Sequence, residues 1–448
     1  MQQWLKISLL LCTFGFLKEM RPSEPFVVDY LAGPWRNITM TEVVQELLPI
    51  GTYSYLAQLA VIFLITDLLR YKPLIVVNGF AGIIVWSMLI WTTSLQTLKI
   101  MMVFYGTYCA VEIAYYSYIY AKVDREHYNK VTSHSRAAIY GGKCLAGVLA
   151  QTLVSFEVMD YKRLNCISLV SQIFATIWAL LLPSVMTSMY FHRAALSTGV
   201  NDFLEHTERI SKSASTVPLK RKIISAFLLI WMHFKSSYTN LAVLKWSIWY
   251  AIAMAGYIQI IAYVQALWSE VDPNHKAVWN AAVEATVTLL AAIASLVPAY
   301  IHSGLLKPRS SLFTLSVLSL GQGAAMMMAA TTNQLIVSYL GCMIFCILYA
   351  FTITFVSAEI ARNTSDDSFG LVFGFNTLVA LSLQAVLTFA VTDSDGWFAL
   401  NIFKQFIVYS YYYVTLGVIY LVFLLGEIFH KVFMKRTTNI IKFKNNEM

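Results

Sequence analysis

The sequence predicts an all-α membrane protein of about twelve transmembrane helices in two six-helix halves, and three observations predict it. Of 448 residues, 58% are hydrophobic and 12% charged, with a mean hydropathy of +0.63. A soluble domain carries about 25% charged residues, so too few remain here to coat several separate cores, and lipid must cover most of the perimeter. Apolar runs of the roughly 20 residues that a helix needs to cross a bilayer recur about twelve times. One long polar stretch, rich in Ser, Lys and Arg, separates the sixth run from the seventh. The chain therefore divides into an N-terminal half (1–190), a central loop (191–240), a C-terminal half (241–430) and a basic tail (431–448). Soluble enzymes and nucleic-acid binders are excluded.

The runs centre on Leu11 to Tyr30, Thr52 to Leu68, Leu74 to Thr93, Ile100 to Tyr120, Ala137 to Ser155 and Ile167 to Met186. In the second half they centre on Leu241 to Leu267, Val278 to Ile301, Leu312 to Ala330, Leu335 to Val356, Leu371 to Val391 and Ile407 to Phe429. The first begins like a signal peptide but runs straight into KEMRPSEPF without a small-residue cleavage site, so it reads as a retained helix broken by Pro22 and Pro25. Six plus six is the arrangement of transporters that hold a ligand between two halves near the bilayer midplane.

Basic residues set the orientation. Arg70, Lys72, Lys122, Arg136, the central loop's cations, Lys307, Arg309 and the tail fall on one side, which is therefore read as cytoplasmic with both termini. The net charge of +8 is mostly this bias. Asn37, in the sequon NIT, falls in the first outer loop and is expected to carry sugar. Asn363, in NTS, falls in an inner loop and is not.

Ionisable groups inside a span cost roughly 2.5 to 3.5 kcal/mol on insertion scales, so each is a functional candidate. Glu24, Glu112, Lys143, Glu284 and Glu359 lie within spans, with Lys18, Glu19 and Arg21 nearer the helix break. Glu24 sits between two prolines, either contacting ligand or pairing with Arg21 or Lys143. Glu112 lies on a stripe with Tyr105, Tyr108, Tyr115, Tyr116 and Ile119 at helical spacing. A carboxylate among tyrosines suits an organic cation, whereas the plainer alternative is an ion pair with Lys143 and rings that merely pack. Asn280 and Glu284 are one turn apart, able to orient a polar ligand or bond a neighbouring helix. Asp67 and Arg70, in TDLLRYKP, stand where a cytoplasmic gate would latch.

Six single cysteines fall in or beside apolar runs; Cys342 and Cys346 lack a neighbouring His, so no metal site is expected. The sequence has no P-loop, HExxH or GxSxG motif, which leaves ATP-driven transport and embedded hydrolysis without their chemistry. No cofactor or nucleic-acid partner is expected.

RPSEPF with GP after it, TYSYL, TDLLRYKP, FYG followed by EIAYYSYIY, SRAA, YVQALW, WNAAVEA, and LVFGFNT with QFIVYS together resemble the reduced folate and thiamine carrier family. The likeness runs from about Arg21 to about Tyr420 outside the central loop, and its wording is closest to the folate-like transporter branch. It implies a major facilitator-type fold that moves a B vitamin across the plasma membrane by alternating access. It also implies ligand contacts at Glu24, Tyr105 and Asn280, and Glu112 agrees with the EIAYY pattern of the thiamine carriers. Those carriers have a tryptophan where Gly51 stands and an acid where Met102 stands. Folate carriers have basic residues where Cys346 and Gln384 stand. Thiamine or another cationic vitamin fits the acidic span interiors better than dianionic folate does. A folate-like anion carrier and a non-transporting receptor that keeps the carrier fold are the alternatives.

Overall fold

The computed structural model describes residues 3–33, 36–66, 69–123, 127–185, 231–273, 279–300, 308–364 and 369–446. Asp67, Lys307 and most of the central loop lie outside these residues. Every regular element described is helical: α1 (Gln3–Glu19), α2 (Val27–Leu31), α3 (Met40–Glu42), α4 (Leu48–Ile65), α5 (Lys72–Trp91), α6 (Leu95–Ala110), α7 (Glu112–Lys122), α8 (Tyr128–Ser155) and α9 (Tyr161–Leu181). A second set follows: α10 (Leu241–Val271), α11 (Asn280–Tyr300), α12 (Pro308–Thr331), α13 (Leu335–Asn363), α14 (Phe369–Val391) and α15 (Ile402–Asn446).

Among the described residues, eleven helices are long and apolar enough to cross a membrane, and α1, at 17 residues, adds a twelfth apolar segment. Lipid-side residues such as Phe174, Leu181 and Val422 stay more than half exposed, as expected where hydrocarbon is the solvent. Turn chemistry sets several starts. Thr39 and Glu42 form a reciprocal capping box, while Asp160 and Asn240 accept the backbone N–H of Arg163 and Ala242.

Three helices differ in their bounds from the sequence reading. The first helix begins at Gln3 rather than near Leu11 and stops at Glu19, because Pro22 and Pro25 lack backbone donors and a short 3₁₀ turn (Glu24–Phe26) replaces the helix. The second begins at Met40, continues through a π-helical stretch (Val43–Leu47) and only then becomes α4. The last helix passes residue 430 without a break and continues to Asn446.

Within the first set, α1 packs on α8 and α9, α4 on α6, and α5 on α6 and α9. Within the second, α12 packs on α13 and α15, and α10 on α13, α14 and α15. The sets meet where α8 crosses α11 and α4 crosses α14. At the α8–α11 crossing a Cβ on Gly147 would lie 2.9 Å from the Ala281 carbonyl oxygen and 2.9 Å from the Ala285 side chain. Only glycine permits that approach.

Polar contacts between the sets gather at the end that bears Asn37. The Tyr53 hydroxyl donates to Asp393 Oδ2 at 2.6 Å, Ser269 donates to Asp29, and Ser394 N–H donates to the Gln45 carbonyl at 3.3 Å. Gln151 Oε1 accepts the Ala282 N–H at 3.0 Å. Toward the end that bears Arg70, Phe63 of α4 lies against Gly374 of α14. The described arrangement is thus latched at the Asn37 end.

Candidate functional site

The break after α1 organises the interior. A helix leaves its last carbonyls without intrahelical donors, and neighbouring helices supply them here. Ser171 donates to the Leu17 oxygen at 2.7 Å, and Gln172 and Tyr108 donate to the Lys18 oxygen at 3.0 and 3.2 Å. Ser23 meets Ser168 at 2.9 Å and accepts from the Trp86 indole at 3.1 Å. With its backbone satisfied, the broken segment can hold side chains between the sets.

Those side chains form one ion-pair chain. Glu19 is its hub, with a carboxylate 2.7 Å from Arg21, 3.3 Å from Lys18 and 3.5 Å from Lys143. Lys18 continues to Glu112 at 3.0 Å, and Arg21 continues to Glu24 at 3.0 Å. Lys18 also lies 5.2 Å from the centre of the Tyr108 ring, and Arg21 lies 5.7 Å from that of Trp86, cation–π contacts that add to the ion pairs.

The chain has a direction. Lys18, Glu19 and Arg21 are buried, whereas Glu24 and Glu112 at its two ends keep 28% and 34% of their side chains exposed. The two terminal acids are partly exposed, Lys18 and Arg21 are buried behind them with Glu19, and Lys143 is as open as either terminal acid, at 39%. Glu284 of α11 lies within electrostatic range of Glu24, Lys143 and Arg21, yet among the described residues its carboxylate makes no ion pair. The ion-pair chain itself balances three carboxylates (Glu19, Glu24, Glu112) against three bases (Lys18, Arg21, Lys143).

The structure brings most of the sequence candidates together and assigns some different partners. Glu24 pairs with Arg21. Glu112 pairs with Lys18 rather than Lys143, because the buried end of α1 passes beside the start of α7, while Lys143 reaches Glu19 instead. Asn280 is buried; it accepts from Tyr339 at 2.7 Å and donates to the Pro25 carbonyl at 3.4 Å, which ties α11 to the broken segment. Gln265 of α10, unremarked in the sequence, grips the same segment by donating to the Glu24 carbonyl at 2.9 Å and accepting from the Val28 N–H at 3.3 Å.

The tyrosine stripe is mostly packing. Tyr108 and Tyr115 are buried and donate to α1 carbonyls, Tyr116 donates to Glu112 at 3.4 Å, and Tyr105 remains partly exposed with its ring stacked 6.3 Å from Tyr108. Gly51 faces Met102 and Tyr105: a Cβ added there would lie 3.4 Å from the Met102 sulfur and 3.9 Å from the Tyr105 ring. The two departures from the thiamine-carrier pattern are therefore neighbours at one place on the wall. Cys346 and Gln384 are both buried. Glu359 pairs with Arg362 at the end of its own helix, 3.3 Å apart, away from the cluster.

Arg70 is exposed, and with Tyr71 it forms two successive left-handed residues (φ 59° and 64°). This tight turn is costly for non-glycine side chains. Asn37 is exposed on a left-handed turn (φ 50°), a conformation asparagine tolerates. The Asn363 amide is engaged, donating to the Glu359 carbonyl at 2.8 Å.

The family model described as reduced folate carrier matches residues 2–408. Human (Homo sapiens) "Thiamine transporter 1" is 37% identical over 450 residues, covering 93% of this chain and 89% of its own. Caenorhabditis elegans "Folate transporter 1" is 35% identical, covering 96% and 94%, and "Folate-like transporter 3" of the same organism is 35% identical, covering 94% and 96%. Among solved structures, a D-xylose-proton symporter superposes with a TM-score of 0.65 at 10% identity, covering 94% of this chain and 97% of that one. The nucleoside transporter NupG gives 0.57 at 12% identity, covering 93% and 98%. At these identities the likeness fixes the fold, which is of the major facilitator type.

Proposed function

The chain belongs to the reduced folate carrier family, and from that premise we propose that it is a secondary carrier of a B vitamin, working by alternating access and favouring thiamine or another cationic vitamin over folate. The observation that carries the preference is the direction of the ion-pair chain. Glu24 and Glu112, at the two ends of the chain, are partly exposed, while Lys18 and Arg21 are buried behind them. A cation entering there meets carboxylates, whereas a dianion meets them with only Lys143 partly exposed to offset them.

The two sets of six helices act as the moving halves. Glu24, Tyr105, Glu112 and Asn280 serve the ligand; Arg21, Lys143 and Glu284 set the charge balance; and the strained Arg70 turn, with Asp67 beside it in sequence, serves the gate at its end. The Asn37 end faces outside the cell and both termini face the cytoplasm, so the latched arrangement is inward-facing.

Uptake of labelled thiamine and labelled folate into cells lacking their own carriers tests the reading. Saturable thiamine uptake exceeding folate uptake is expected, and Glu112→Gln should reduce it about tenfold, the value of one contact of roughly 1.4 kcal/mol. Folate uptake exceeding thiamine uptake, or thiamine uptake indifferent to Glu112→Gln, would overturn the preference for a cation. Orientation has its own check: Asn37→Gln should migrate faster on a gel, as wild type does after glycosidase treatment, and Asn363→Gln should not.

A further inference from the structure

Two carboxylates join the sets at the Asn37 end, and their surroundings differ. Asp393, in the loop after α14, accepts the Tyr53 hydroxyl at 2.6 Å and the Asp395 N–H at 3.1 Å, and it stays partly exposed. Two donors and nearby water suit a charge. Asp29 of α2 accepts the Ser269 hydroxyl of α10 on Oδ1, while its Oδ2 is buried without a hydrogen-bond partner. Among the described residues no base lies within ion-pair distance of Asp29. The groups that face it are neutral or acidic. Tyr161 of α9 and Tyr339 of α13 stand within electrostatic range, and Asp272, just past the end of α10, lies within range of the same Tyr339. Lys162 and Arg163 of α9 and Glu270 of α10 are exposed. Glu24, in the turn before α2, is already paired with Arg21.

We propose that Asp29 is a proton site tied to closure of the Asn37 end: its carboxyl is neutral while the two sets are latched and gives its proton to outside water when they part. Burial without a counter-charge penalises the ionised form, and a single neutral hydroxyl does not replace the water lost. A neutral carboxyl fits the same contacts, with Oδ1 accepting from Ser269 and Oδ2 carrying the proton. When the sets part, the Ser269 bond breaks and water enters. The O–H bond of the carboxyl then breaks, the proton passes to water and the carboxylate keeps the electron pair. The site rests on the carrier reading above for its two arrangements and for the outward position of the Asn37 end. By linkage, falling pH favours the arrangement that binds the proton, so acid closes this end and alkali opens it. Asp393 would act with the opposite sign. Protonating it weakens the acceptor of the Tyr53 bond, and acid would then open the end.

The test is the separation of spin labels on Ser94→Cys and Lys404→Cys, exposed positions of the two sets at this end. It is measured by double electron–electron resonance on the full-length protein in detergent, with the native cysteines replaced and size-exclusion profiles confirming that each variant remains folded. As pH is lowered from about 8 to about 5, the range in which a carboxyl deprived of water takes up its proton, the ratio of long to short separations is expected to fall fivefold or more. Asp29→Asn keeps an acceptor for Ser269 but binds no proton, so its ratio should vary less than twofold and match the acid state of wild type throughout. Asp29→Ala reads the same loss of pH dependence if the asparagine variant does not fold, and Ser269→Ala, which keeps the carboxyl, should retain the dependence. A dependence that persists in Asp29→Asn or Asp29→Ala, or a wild type in which acid opens this end, overturns the proton site. A separation that answers to added thiamine but not to pH also overturns it and leaves the carrier reading standing. One that answers to neither overturns both.

Discussion

Replacing Glu19 by glutamine is expected to destabilise the protein by about 3–5 kcal/mol, the cost of breaking a buried ion pair and leaving its partner charged. Glu19 holds three bases at once: Arg21 at 2.7 Å, Lys18 at 3.3 Å and Lys143 at 3.5 Å. Its side chain and those of Lys18 and Arg21 are at most 7% exposed. Without its charge, Arg21 keeps Glu24 and Lys18 keeps Glu112, but the hub between them becomes a crowd of cations in a low-dielectric interior. Glutamine preserves the volume, so the loss is electrostatic rather than a cavity. Glu24→Gln makes the matched comparison, since it removes one carboxylate at the exposed end of the same chain and should cost under about 1 kcal/mol. Thermal unfolding of the two variants in detergent reads the difference. If Glu19→Gln unfolds no earlier than Glu24→Gln, the hub does not hold the segment together.

The spans and their number were legible because lipid imposes a coarse rule: a helix must be about 20 apolar residues long, and a chain with few charges shows where each one lies. The proline pair likewise announced the break. The ion-pair partners were not legible, since pairing depends on which helices cross and at what height. Glu112 and Lys143 are both mid-span charges of opposite sign and looked like natural partners, yet Lys18 occupies that place. Lys18 and Glu19 read as flanks of a break, and only the donors from Ser171, Gln172 and Tyr108 allow the backbone there to stay inside. Tyr53 and Asp393 gave no signal at all. An aspartate in a polar loop looks solvated until a tyrosine 340 positions away in sequence donates to it. Gly51 and Met102 were each readable as departures from a pattern, but that they touch is a fact of helix packing.

Enlarging Gly147 should stop transport while leaving the two sets individually folded. A Cβ at this position meets the Ala281 backbone oxygen at 2.9 Å and the Ala285 side chain at the same distance, and neither can swing aside as a long side chain would. Relief requires α8 and α11 to separate, and those helices belong to different sets. The cost therefore falls on the arrangement latched at the Asn37 end and not on the interior of either set. Overpacking of this kind costs roughly 1–3 kcal/mol, and a change of that size shifts a two-state equilibrium by about fivefold to more than a hundredfold. A carrier must visit both arrangements in each cycle, so Gly147→Ala should slow uptake and Gly147→Leu should abolish it at normal expression. Gly141, on the same helix, has open space where its Cβ would go, so Gly141→Ala should transport as wild type does. Accessibility separates a trapped carrier from a misfolded one. A cysteine placed at Tyr105 should react with a membrane-impermeant thiol reagent from the Asn37 side faster in Gly147→Leu than in wild type. Wild-type uptake by Gly147→Leu would mean that the close approach of α8 and α11 is not part of the cycle.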